Sequence, residues 1–149
     1  MQGCLRFAMR QHDPRPVNSY DPDVAPAATD WLALDEQERI QLAETYHWQA
    51  RIKVPNAKAH AAFHAIVENQ VAEGLESVVR AMTRLTREGL SRHDAIHAIG
   101  SVLVEHLSEA VSENNKGDAS TPQSRYDAAV ERITAKEWYR QFGPSRDDG

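Results

Sequence analysis

The sequence predicts an all-α protein: a single-domain bundle of four to five helices behind an extended N-terminal arm. Three observations carry this. Apolar residues recur at three- and four-residue spacing with no run of strict alternation. Ala, Glu, Arg and Leu dominate, as helices prefer. Capping residues stand where each apolar pattern begins. A length of 149 residues is one domain's worth and buries a real core without disulfides.

The elements follow in order. Residues 1–28 hold Pro14, Pro16, Pro22 and Pro26 and no apolar stripe, so they read as an arm that is mobile or lies along another surface. Trimming it is expected to leave the melting temperature nearly unchanged. Residues 29–142 form the bundle. Its first helical pattern runs from Asp30 to Ile52, with Asp35 and Glu38 as a capping box, Ile40, Ala43, Tyr46 and Ala50 at helical spacing, and Pro55 as its stop. The second starts at Asn56 and breaks near Gly74. The third carries Val78, Val79, Met82 and Leu85 on one face and ends at Gly89. The fourth starts at Ser91, with Asp94 three residues on, and extends to about Glu113. A polar loop, Asn114 to Ser120, leads to Thr121 and Pro122, the start of the last helix, with Tyr126, Val130, Ile133 and Trp138 on its stripe. Residues 143–149 read as a frayed tail.

Composition narrows the function classes. A net charge of -5 argues against nucleic acid as a partner, because phosphate binding needs a basic patch. No apolar run is long enough to span a membrane, and the first residues lack the pattern of a signal peptide. Cys4 is the single cysteine, so a reducing, cytoplasmic setting is expected. No Gly-rich phosphate loop, serine elbow or CxxC motif is present. No organic cofactor is indicated.

The chemistry concentrates in histidine pairs. Residues four apart on a helix share a face. His60 and His64 therefore project together from the second helix, and His93 and His97 from the fourth, each pair at the edge of an apolar stripe. If short connections alternate the helix directions, the second and fourth run parallel and all four imidazoles converge at one end. Neutral imidazole is a ligand for transition metals such as zinc, iron or nickel. Glu68, one turn past His64, is a candidate carboxylate for the same ion. Glu105 lies too far along its helix for that. His47 is a candidate fifth nitrogen. His106 falls on the far side of its helix and is expected exposed, and His12 lies in the arm. Gln70, facing the core, needs a partner for its amide. Trp31, Trp48 and Trp138 read as core plugs. Two readings follow: a metal protein built on the histidine quartet, or an interaction or homo-oligomerising module whose histidines are structural and whose last helix docks a protein partner.

The order of these signals resembles an uncharacterised bacterial family, domain of unknown function 1841. The residues that carry the resemblance are Asn56, His60, His64, Gln70, His93, His97, Glu105 and Tyr126, between Asn56 and Ile133. Ala57 departs from the family's proline, and Ser101 stands where a second glutamate is expected. The resemblance implies a small helical fold and a double His-x3-His set, and it implies no reaction.

Overall fold

Seven α-helices and no strand make up residues 15–111 and 121–143, the residues described by the computed structural model of the chain. They are α1 (Ala28–Leu32), α2 (Glu36–Gln49), α3 (Ala57–Ala72), α4 (Glu76–Arg87), α5 (Arg92–Val111), α6 (Pro122–Arg132) and α7 (Ala135–Phe142). The all-α class matches expectation, and the count exceeds it because the first and last predicted helices each divide in two. Expectations about Cys4, His12, the polar loop and the end of the tail concern residues outside those described. None of the described helices is long and apolar enough to cross a membrane.

Both divisions have a capping residue and an arginine behind them. Asp35 adopts an extended conformation and accepts the backbone N–H of Glu38, whose side chain accepts from Asp35 in return, so α2 must begin anew there. Arg39 then reaches back to the carbonyls of Trp31, Leu32 and Leu34, satisfying the open end of α1. At the other division Thr134 is extended and caps α7 through the N–H of Glu137. Arg84, from α4, donates to the carbonyls of Val130 and Ile133 and so closes α6. The Thr-x-x-Glu signal at 134–137 was available in the sequence. It lay inside an apolar stripe that continues across the break.

The remaining ends follow the capping signals. Asn56 accepts the N–H of Ala59, and Thr121 that of Ser124, with Pro122 at the first helical position. Gly74 and Gly89 have φ of +74° and +109°, and each is followed by a leucine whose N–H returns to the helix. Arg51 ends α2 in the same left-handed conformation, φ +58°, well before Pro55.

α3 divides two apolar clusters. Val67, Val78, Leu85, Ile96, Ile99 and Val130 centre the larger one, with Trp138 at its edge. Tyr20, Trp31, Ala43, Ala61 and Ala65 form the smaller. The fully buried alanines let α2 lie close along α3. Trp31 and Trp138 fill core positions as expected, whereas Trp48 is 79% exposed.

α3 and α5 are neighbours, but not parallel ones. His60 meets His97, His64 lies between His97 and His93, and Glu68 meets Arg92. Partners descend α5 as they ascend α3, the order of an antiparallel crossing. The expectation of two parallel helices is corrected by α4, which packs chiefly on α5 and α6 rather than standing between α3 and α5 as an alternating strut.

Residues 15–27 contain no helix and are mostly exposed, yet two of them, Tyr20 and Pro22, are buried against the helices. Tyr20 is 7% exposed, Pro22 is fully buried, and Arg92 donates to the Pro22 carbonyl at 2.8 Å. Asp23 accepts the backbone N–H of His93. Removal of residues 1–24 is therefore expected to lower the melting temperature by roughly 10 °C, about 3 kcal/mol for a domain of this size. A thermal melt of the truncated chain checks this, and an unchanged midpoint would contradict the packing described.

Candidate metal centre

Three elements bring histidines to one place. His47 sits in the last turn of α2, His60 and His64 in the first half of α3, and His93 and His97 near the start of α5. His47, His60, His64 and His97 each offer one ring nitrogen to a group whose members all lie within 4.8 Å of one another. The Nε2 atoms of His47 and His60 are 3.1 Å apart, those of His60 and His97 3.1 Å, and those of His64 and His97 2.9 Å. A metal–nitrogen distance of about 2.1 Å sets neighbouring ligand nitrogens about 3.0 Å apart at right angles and about 3.4 Å apart in a tetrahedron. These four side chains can hold a metal ion.

The proton positions follow from the outer partners. Nδ1 of His47 is 2.7 Å from the Ala43 carbonyl, which only accepts, so Nδ1 carries the proton and Nε2 is bare. At His64 the argument has one more step. Tyr20 donates its hydroxyl proton to Oε1 of Glu68 at 2.9 Å. Its oxygen then accepts from Nδ1 of His64 at 3.3 Å, which leaves Nε2 of His64 bare as well. Short contacts link the four rings in the order 47, 60, 97, 64. Hydrogen bonds along such a chain need bare and protonated nitrogens to alternate, so its two ends must differ. Both ends are bare. One contact in the neutral cluster must therefore set two lone pairs, or two N–H groups, against each other. A cation that accepts all four lone pairs removes the conflict. A proton on Nε2 of either end, His47 or His64, would remove it too; at His64 this is opposed by burial, reinforced by the rings of His97, His47, His93 and His60, which holds its pKa far below its ordinary value.

The same forces act on the neighbours. Burial, with His47 and His93, pushes His60 down to about 4. Burial, with His93, His60 and His47, pushes His97 down to about 3. His93 is also lowered by burial and by His47, against the opposing charges of Asp23, Asp94 and Asp21. Neutral imidazoles are the form that binds metal.

Two expected ligands stand differently. Glu68 is 1% exposed and lies outside the convergent set. Arg92 grips it with two hydrogen bonds, 2.6 Å and 2.9 Å, and Tyr20 takes a third, so the carboxylate orients His64 through Tyr20. A carboxylate one helical turn past His64 points the right way, but the arginine from α5 reaches it first. His93 is displaced from the quartet by His47. Its ring centroid lies 4.3 Å from that of His97 and 5.1 Å from that of His64, and its Nε2 is buried with no hydrogen-bond partner among the described residues. This nitrogen lies beside the cluster but outside the group that shares a 4.8 Å span, so His93 would have to swing inward to reach the same ion. His106 is half-buried against Tyr126 rather than exposed, and is remote from the cluster. Gln70 accepts from the Tyr126 hydroxyl at 2.7 Å, so its partner is a tyrosine and not a ligand histidine. Tyr20 and Arg92 were missed because nothing in local spacing ties a proline-rich arm to a helix 44 residues away.

A cavity of about 640 Å³ adjoins the cluster, and His60, His64 and His97 line it. No protein-family model, no curated protein and no solved structure matches this chain. The geometry alone carries the functional reading.

In metal-free protein, stability is expected to fall as pH drops below 6.5, the ordinary histidine value, and to keep falling through about 4 toward about 3. Across that window the unfolded chain binds more protons than the native one, so stability rises with pH. Urea midpoints between pH 8 and 4 measure this. His60→Gln is expected to flatten the slope, and an equal slope in both proteins would contradict the assignment.

Proposed function

We propose that this protein binds one transition metal ion through His47, His60, His64 and His97, with His93 as a fifth ligand. The observation that carries this is the pairing conflict among four converging Nε2 atoms, two of which are held bare by outer hydrogen bonds. An all-imidazole set suits zinc, iron or nickel rather than calcium or magnesium, which prefer oxygen ligands. Asp21, Asp23 and Asp94 lie close enough to His93 to act on its charge, and they would offset part of the charge of an ion. Three of the ligand rings also border the cavity, which favours an ion with one coordination position open to that side over a closed structural site. An open position allows the ion to act as a Lewis acid or to activate bound water. A cytoplasmic location, and kinship with domain of unknown function 1841, belong to the same proposal and rest on Cys4 as the single cysteine and on the two His-x3-His pairs.

One observation favours an interaction role beside this. Trp48 and Ile52, at the end of α2, are 79% and 38% exposed. Self-association through them would show as a mass that falls on Trp48→Ser, read by sedimentation.

Untagged protein is expected to carry about one equivalent of a transition metal by elemental analysis, and metal to raise the melting temperature by mass action. His47→Ala and His64→Ala are expected to abolish tight binding. Tyr20→Phe, which leaves His64 without its outer acceptor, is expected to weaken affinity by about 10- to 100-fold. His106→Ala is expected to change nothing. Protein whose melting curve is the same with metal and after verified metal removal would overturn the proposal.

A further inference from the structure

The cavity beside the histidines differs from its surroundings in chemistry. Its floor is His60, His64 and His97. Its walls are Phe63, Ile96, Val104, Trp138 and Phe142, contributed by α3, α5 and α7. Among the described residues, neither lysine, arginine, aspartate nor glutamate lines it. Apolar lining is not general on this protein: another cavity, of about 720 Å³, is bordered by Arg132, Arg140, Glu105 and Glu137. A volume of about 640 Å³ lies in the range of small-molecule sites, which are mostly apolar with a few convergent polar groups. Here the convergent polar groups are the imidazoles and Ser101.

We propose that this cavity binds a neutral, largely apolar small molecule whose single donor atom meets the metal held by the histidines. The inference rests on the metal reading above and adds the ligand class to it. A charge carried on the body of the ligand, away from the donor atom that meets the ion, would lose hydration without gaining a counter-charge from the described walls. An apolar body gains by leaving water, and the ion supplies the one strong polar contact. Gly100 keeps the space clear. It lies on α5 in the cavity wall, and a Cβ built there meets no heavy atom within 4 Å. A larger side chain at this position would enter the cavity without striking the helix's neighbours, and its helical preference is better than glycine's.

The test uses the full chain loaded with Co2+, whose visible absorption reports a change of ligand. Imidazole and 4-phenylimidazole offer the metal the same donor and differ in an apolar ring. 4-Phenylimidazole is expected to bind at least tenfold more tightly than imidazole, and its para-carboxylate derivative to lose that advantage. Gly100→Leu is expected to take up Co2+ as the parent does and to lose the preference for the phenyl compound. Val104→Phe narrows the same cavity from a wall position that is 42% exposed, and so stands in if Gly100→Leu folds poorly. Equal affinity for the two imidazoles, or a preference untouched in both variants, overturns the proposal. If the parent chain takes up no Co2+, the metal reading fails and the donor contact fails with it. The apolar ligand class is then read separately with the neutral fluorophore N-phenyl-1-naphthylamine on metal-free protein. Binding that Gly100→Leu abolishes supports that part, and no binding overturns it too.

Discussion

The ion pair between Arg92 and Glu68 holds together parts of the chain that share no local signal. Glu68 comes from the buried side of α3 and Arg92 from the first residue of α5, and the arm supplies Tyr20 and the Pro22 carbonyl to the same network. A carboxylate at 1% exposure is tolerable only when its charge is matched and its lone pairs are used. Two bonds from Arg92 and one from Tyr20 meet that demand. Removing one partner of such a buried pair typically costs about 3–5 kcal/mol, because the other charge is stranded.

That network also sets the state of the histidine cluster. The Tyr20 hydroxyl has one proton, and Glu68 takes it. The phenol oxygen is left to accept from His64, whose other nitrogen is then bare and aimed at His97. On the opposite side the Ala43 carbonyl does the same for His47, from within its own helix. A backbone carbonyl and a buried carboxylate, reached by different routes, thus prepare two lone pairs for one point in space. Burial keeps the rings between them neutral.

The helices around the cluster are arranged to allow this. Alanine at 43, 61 and 65 brings α2 against α3 closely enough for His47 to reach His60. The antiparallel crossing of α3 and α5 puts His97, rather than His93, at the centre. α7 closes the apolar side with Trp138, while Phe142 stays at the rim, 59% exposed. One side of the cluster is therefore held by hydrogen bonds and the other faces a hydrophobic space.

What the sequence determined by itself was local. Helical periodicity and the capping residues Asp35, Asn56 and Thr121 mark where helices begin, and Gly74 and Gly89 where they end, because these signals act within a turn or two of the backbone. The i, i+4 spacing placed His60 beside His64 and His93 beside His97 for the same reason. The division at 133–134 was harder to read, since an arginine from α4, Arg84, satisfies the open end of α6. Only the tertiary structure decided which histidines share a centre. His47 enters because small side chains let two helices touch, and His93 moves aside because α5 crosses α3 in the opposed sense. Glu68 stands outside the converging nitrogens because Arg92, 24 residues away, claims it. Such choices depend on which helix faces approach, and periodicity within one helix carries no information about its neighbour.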